Sequence, residues 1–262
     1  MASITLPDPL HSLKKRCCFR TATTSFIYPA GYQENIRRLG PYFDEIELLF
    51  LESRFAENLP DKVLTGELAQ LAHEYDLTYN IHLPMDIVPN SADVITRRQD
   101  TAVLQRYIEA LEPLQPTAYC LHLPFDDQPD FKERCRETLQ ALLHGGLTPK
   151  RLTVENLEYP LTSLQTIIEE LDVGVCLDIG HTILFDTGFK EHAAAFASRI
   201  KTVHLHGANR EHDHKGLDIL AQNAPIVLEF LRTFRGTVSL EVFGIKELNA
   251  SLAWLQPYLD TL

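Results

Sequence analysis

Six short apolar runs in this chain each end in a residue able to bind a metal ion or carry a proton. They read Tyr79-Asn80-Ile81-His82-Leu83-Pro84, Tyr119-Cys120-Leu121-His122-Leu123-Pro124, Val154-Glu155-Asn156, Cys176-Leu177-Asp178-Ile179-Gly180-His181, Val203-His204-Leu205-His206-Gly207 and Ser239-Leu240-Glu241. Imidazole and carboxylate are the ligand types that suit Zn²⁺, Mn²⁺, Fe²⁺ or Co²⁺. Burying so many of them without a metal would leave unpaired charge in a poorly solvated place. Of eleven histidines, seven (His82, His122, His181, His204, His206, His212 and His214) fall in or just after these segments. Taken singly, His82 reads as a satisfied structural residue and Glu155 as a carboxylate paired to Lys or Arg. Asp178 with His181 is a stronger pair, because one short turn carries both. The set as a whole points to a metal site, while His11, His73, His144 and His192 fall in arm, helix or loop positions and are expected to be solvated.

Residues so far apart in sequence can meet only if the runs are strands that converge. β-rich stretches fall at Cys17–Ser25, Glu45–Glu52, Thr78–Pro84, Ala118–Pro124, Leu152–Glu158, Val173–His181, Lys201–Gly207 and Thr237–Gly244. Between them lies helical apolar spacing, as at Leu64, Leu68, Leu71 and Ala72. Strands alternating with helices imply parallel βαβ units. Eight such units predict an α/β fold, a single-domain (β/α)₈ TIM barrel, whose active sites form at the C-terminal ends of the strands. No GxGxxG turn follows the first strand, which removes the main sign of a dinucleotide-binding open sheet. Residues 1–16 read as an N-terminal arm and 17–262 as the barrel. The stretches Asp86–Asp100 and Asp126–Phe131 read as loops long enough to line a mouth.

A length of 262 residues suits one barrel, and 45% apolar residues are ordinary for a folded domain. No apolar run approaches the roughly 18–20 residues of a membrane span, and Lys14, Lys15 and Arg16 lead into no signal-like apolar region. Five cysteines form neither a disulfide framework nor a CxxC metal pattern, which predicts a reducing, cytoplasmic setting. Cys120 and Cys176 lie in apolar runs and read as small buried hydrophobes. A formal charge of −12 repels a polyanion, so no nucleic-acid partner is expected.

The ordered motifs I-H-L-P, L-H-L-P, V-E-N, C-L-D-I-G-H, V-H-L-H-G, a D-H pair and L-E-V resemble the xylose-isomerase-like barrel superfamily. That superfamily includes sugar isomerases, epimerases and the AP-endonuclease (endonuclease IV) family, and the resemblance covers the chain after the arm. Its isomerases and epimerases hold one metal through a set that matches Glu155, Asp178, His204 and Glu241. Its endonuclease branch holds three. One would match His82, His122 and Glu155, and a second the four residues just named. The third would match His181 and an acid–x–His pair, which here reads His212-Asp213-His214, so the acid is displaced by one place.

The resemblance therefore implies two to three divalent ions (Zn, Mn or Co), with Glu155, Glu241 and His181 as catalytic groups. Asn156, His206, His212 and Asp213 are expected to touch substrate; His206 is read as either tucked behind the barrel wall or turned into the mouth. Clustered metals suit phosphoester hydrolysis, where one ion activates water and others neutralise phosphoryl oxygens. The H-L-P, V-H-L-H-G and D-H-x-x-L (Asp213, His214, Leu217) motifs are similar to those of cobamide-remodelling phosphodiesterases. A single-metal sugar or sugar-phosphate isomerase or epimerase, in which two glutamates shuttle a proton beside a carbonyl, is the alternative. A barrel that only binds metal is the non-enzymatic reading.

Overall fold

The structure, a computed structural model, describes residues 6–55 and 58–262. Eight strands form a closed parallel barrel: β1 (Arg20–Thr24), β2 (Glu45–Leu49), β3 (Thr78–His82), β4 (Tyr119–Leu121), β5 (Leu152–Glu155), β6 (Gly174–Asp178), β7 (Ile200–Leu205) and β10 (Thr237–Leu240). Each pairs with the next in sequence and β10 closes on β1, so all eight predicted strands are present in order. A two-stranded antiparallel hairpin, β8 (Gly207–Asn209) and β9 (His212–Lys215), stands on the mouth after β7. Around the barrel run α1 (Tyr32–Leu39), α2 (Lys62–Tyr75), α3 (Val94–Leu111), α4 (Phe131–His144), α5 (Gln165–Glu170), α6 (Ile179–Leu184), α7 (Phe189–Ala195), α8 (Ala224–Thr233) and α9 (Ile245–Leu255). No described helix is long and apolar enough to cross a membrane.

Strands such as β2 and β6 are buried at every position, as expected when helices cover one face and the barrel interior the other. The observed strands are shorter than the sequence runs at their C-terminal ends. His122, His206 and Glu241 each follow the last ladder residue by one place, where the chain is free to turn its side chains toward the mouth. The starts of α2 and α3 are set by capping carboxylates. Asp61 accepts the Leu64 amide (2.8 Å) and Asp93 accepts that of Thr96 (2.8 Å).

The Asp93 cap corrects one expectation. The loop after β3 ends there, so seven residues read as loop belong to α3. What remains is not a free connection either. Buried Asn90 donates to the Pro124 carbonyl (2.8 Å) and accepts, through its own carbonyl, the Nε–H of buried Arg134 (2.9 Å). Arg134 also pairs with Asp126 and Asp130, which ties the loops after β3 and β4 into one wall. At the opposite end, the segment before β1 packs onto the bottom of the barrel. Leu13 is buried, its amide donates to the Tyr42 carbonyl (3.0 Å), and Lys14 Nζ donates to the Gly40 carbonyl at the end of α1 (2.9 Å).

His192 is a second correction: it is buried, not solvated. On α7 its Nδ1–H donates to the Gly188 carbonyl (2.7 Å), and Nε2 accepts the Leu161 amide (3.0 Å). The ring thereby satisfies a backbone donor on the segment before α5 that would otherwise be buried alone. Replacing it by Leu leaves that amide unpaired. His192→Leu is expected to lower stability by about 1–3 kcal/mol in denaturant unfolding without changing metal content.

Candidate metal centre

The residues singled out at the strand ends meet in one buried cluster at the C-terminal mouth. Glu155, on the last position of β5, is its centre. Oε2 lies 3.1 Å from His122 Nε2, 3.3 Å from His204 Nδ1 and 3.5 Å from His82 Nε2, while Oε1 lies 3.3 Å from His181 Nδ1. The Cys120 thiol donates to Oε2 from below (3.0 Å). One carboxylate thus faces four imidazoles from four different strand ends.

Three groups of potential ligands lie here, the first two sharing Glu155, with the ligand atoms of each within 4.8 Å of one another. His82, His122 and Glu155 form the first; Glu155, Asp178, His204 and Glu241 form the second. The third joins His181, His206, Asp213 and His214. A fourth, Cys120 and Cys176 with Glu155 and His204, lies on the barrel side of the same residues. Three of the atoms involved (His122 Nε2, His204 Nδ1 and Glu241 Oε2) are buried with no hydrogen-bond partner. Their neighbours stand within 3.1–3.3 Å but not in hydrogen-bonding geometry. Orphaned lone pairs that converge from several directions are what a cation would satisfy, so these residues fit a divalent metal.

Backbone contacts fix how the rings are presented. His82 Nδ1–H donates to the Leu83 carbonyl (2.9 Å), which leaves Nε2 as the lone pair facing Glu155. Asp178 ends β6 and caps α6, where Oδ1 accepts the His181 amide (2.6 Å), so the same carboxylate starts the helix and serves the site. Phe185 and Phe243, both half exposed, lie against the His181 and His214 rings at 5.7 and 4.8 Å between centroids.

Each of the four residues expected to touch substrate has partners within the protein. Asn156 is fully buried and committed to the end of β6: its Nδ2 donates to the Asp178 carbonyl (2.9 Å) and its Oδ1 accepts the Asp178 amide (2.8 Å). It braces the β5–β6 junction. His206 turns into the mouth, as a residue two positions past His204 on one strand face must. Its Nε2–H is directed at Asp178 (3.2 Å) and its Nδ1 accepts the His214 amide (3.1 Å). Both ring nitrogens are therefore engaged, and His206 supports the third group rather than offering it a free ligand. Asp213 lies 3.4 Å from His206 and 3.1 Å from His214, so it occupies the acid position of that group. His212 is exposed on the hairpin, held by Asn209 through its amide (3.0 Å). The backbone at His214 is left-handed (φ 50°), which breaks strict alternation along β9 and lets Asp213 and His214 both turn toward the group while His212 stays outside.

Two contributors were missed in the sequence. Gly180, in the turn after β6, has no room for a side chain: a Cβ there would stand 2.0 Å from His206 Cε1. Glu47, deep on β2, accepts the His204 Nε2–H (2.8 Å). Gly180 carried a signal in D-I-G-H; Glu47, inside an apolar run far from the motifs, carried none.

The mixture of charges shifts both partners. Burial opposes ionisation of Glu155 and Glu241, but the surrounding histidines, His122 and His204 foremost for Glu155 and His204 for Glu241, hold both well below the usual carboxylate range. Burial likewise pushes the histidines down, yet their carboxylates win: Glu155 raises His82 to about 9, Asp178 and Glu155 raise His181 to about 11, and Asp213 and Glu241 raise His214 to about 10. Groups raised on folding contribute stability below their unfolded value near 6.5 and lose it as pH climbs through the folded value. The metal-free protein should therefore melt at progressively lower temperature from pH 7 to 10. Metal binding must displace these protons, so Zn²⁺ uptake at pH 7 should release at least about one proton per ion. Calorimetric titration in buffers of differing ionisation enthalpy measures that release; a binding heat independent of buffer would contradict it.

Residues 34–258 match the family described as xylose isomerase-like TIM barrel. No curated protein matches the sequence. Similar solved structures include an L-ribulose 3-epimerase at 18% identity and TM-score 0.73, covering 93% of this chain and 95% of that one. Endonuclease IV from Thermus thermophilus aligns at 16% identity and TM-score 0.70, covering 93% and 100%. D-allulose 3-epimerase from Methylomonas sp. aligns at 14% identity and TM-score 0.70, covering 94% and 99%. At such identities these structures share the fold. With the family matched over most of its length and the closed eight-stranded barrel in place, the chain belongs to the xylose isomerase-like TIM barrel family.

Proposed function

We propose that this protein is a divalent-metal-dependent hydrolase of a small-molecule phosphoester. The observation that carries the reading is the excess of ligands. A one-metal site is complete with Glu155, Asp178, His204 and Glu241, which leaves two further clusters without a task, His82 and His122 beside Glu155, and His181, Asp213 and His214 in a group of their own. Ions held there would supply Lewis acidity to phosphoryl oxygens and lower the pKa of an attacking water. The chain's own residues do the rest. Glu155 balances charge between the first two groups, and Glu241, with Oε2 3.6 Å from His214 Nε2, completes the second group and stands beside the third. Phe185 and Phe243 cover the edge of His181 and His214 and limit water there.

The rim supports a small, partly apolar substrate. Phe26, Phe55, Met85, Phe125 and Phe243 are well exposed on loops that follow barrel strands, and Phe185 is exposed at the end of α6. Such an entrance suits a molecule with one charged end and an uncharged body, and the charge of −12 disfavours a DNA polyanion. Opening of a cobamide nucleotide loop is the narrowest form of the reading, and its support is the motif resemblance alone.

A single-metal sugar epimerase is the second reading, favoured by the complete four-residue set and its pair of glutamates. The similar structures lean this way as well, since more of them are named sugar epimerases than phosphodiester hydrolases. They support it over the cobamide reading.

Substitutions separate the two. Glu155→Ala should abolish either activity while leaving a folded barrel by circular dichroism. His82→Ala and His122→Ala should lower phosphodiester hydrolysis by about 100-fold and remove one metal equivalent by elemental analysis. Sugar epimerisation would survive both, because the four-residue set is intact. Metal-loaded protein that epimerises ketohexoses, leaves phosphodiesters (cobamide nucleotide loops included) uncut and is indifferent to His82→Ala would replace the first reading by the second.

A further inference from the structure

We infer that Glu47 is a positioning residue that fixes the tautomer and orientation of His204 as a metal ligand. Glu47 is fully buried on β2, and a carboxylate in such a place is costly unless it is hydrogen-bonded and charge-compensated. Among the described residues no Lys or Arg pairs with it. Oε2 accepts the hydroxyl of buried Ser239 on β10 (2.5 Å), and Oε1 accepts the His204 Nε2–H (2.8 Å). Its neighbour two positions earlier, Glu45, is engaged quite differently, by Thr78, Asn80, Thr117 and Arg20 near the bottom of the barrel. Glu47 is thus the carboxylate that faces the site.

The consequence lies on the other ring nitrogen. With the proton held on Nε2, Nδ1 carries the lone pair, and it is Nδ1 that stands buried and unpartnered, 3.1 Å from Glu241 and 3.3 Å from Glu155. A histidine ligand donates its second N–H to a carboxylate in many metal sites, which sets ring orientation and strengthens the ligand. The line Ser239–Glu47–His204 has that form and joins β10, β2 and β7 across the barrel interior. Rotation of the imidazole would cost the Glu47 bond and withdraw the lone pair from the other three members of its group.

The inference rests on the reading that Glu155, Asp178, His204 and Glu241 hold a metal, and the experiment keeps the two apart. Zn²⁺ affinity of the full-length metal-free protein is measured by competition with a chromophoric chelator, alongside thermal melting. Glu47→Ala should weaken the ion held by the His204 group by about 10- to 100-fold, the range for such supporting partners. Glu47→Gln, whose amide oxygen can still accept the Nε2–H, should recover part of that loss. Ser239→Ala keeps the carboxylate and should weaken binding less than Glu47→Ala does. A purely structural Glu47 would lower the melting temperature of Glu47→Ala and leave Zn²⁺ affinity unchanged, which overturns the inference. Should Glu47→Ala not fold, Glu47→Met decides, because it fills the space and offers the Nε2–H no oxygen acceptor: wild-type Zn²⁺ affinity in that folded variant overturns it equally. Wild-type protein that takes up no Zn²⁺ overturns the metal reading itself, and the inference with it.

Discussion

The charge balance around Glu155 is the constraint on which the rest of the centre depends. Its carboxylate is almost wholly removed from water and faces His82, His122, His181 and His204, each delivered by a different strand end. In a poorly solvated cavity neither the acid nor the imidazoles are tolerable alone. Protons hold the arrangement together in the metal-free state, and cations would do so in the loaded one. Binding of a cation at this site would therefore be the same event as loss of protons.

Such a balance needs positional accuracy, and the barrel provides it through contacts that no ligand list contains. Asn156 bonds both backbone groups of Asp178 and locks β5 to β6 at the height of Glu155. Asp178 caps α6, so the helix that carries His181 starts from the same carboxylate. Gly180 leaves the space that His206 fills, and His206 in turn holds Asp178 and the His214 amide. Ser239, Glu47 and Cys120 underlie the ligands from the interior. Alternate strands supply the side chains of this floor, as is usual in barrels of this kind.

The mouth contrasts with its floor. Ionic groups are gathered at the bottom, while the surrounding loops expose apolar side chains, and the molecule as a whole is acidic. The loops after β3 and β4 are held to each other by Asn90 and Arg134, so that part of the rim is a fixed wall. The chemistry and the access are thus set by different parts of the chain: strand ends for the first, loops and the β8–β9 hairpin for the second.

The alternation of apolar runs with helical spacing determined eight strands in order, because period-2 and period-3.6 patterns are local properties of a sequence. The residue types closing those runs marked His82, His122, Glu155, Asp178, His181, His204 and Glu241, which the fold does bring together. Tertiary structure alone decided the remainder. Asp213 rather than His212 enters the third group beside His214 because the backbone turns left-handed at His214 (φ 50°), and no local pattern announces such a turn at a non-glycine residue. Asn156 and His206 have the chemistry of substrate contacts but spend their polar atoms on neighbouring strands, a matter of through-space partners. His192, unremarkable beside three solvated histidines in the sequence, is buried because a backbone amide from a distant segment needs it. Glu47 stands more than 150 residues from His204 in the chain, and only closure of the barrel brings the two within 2.8 Å.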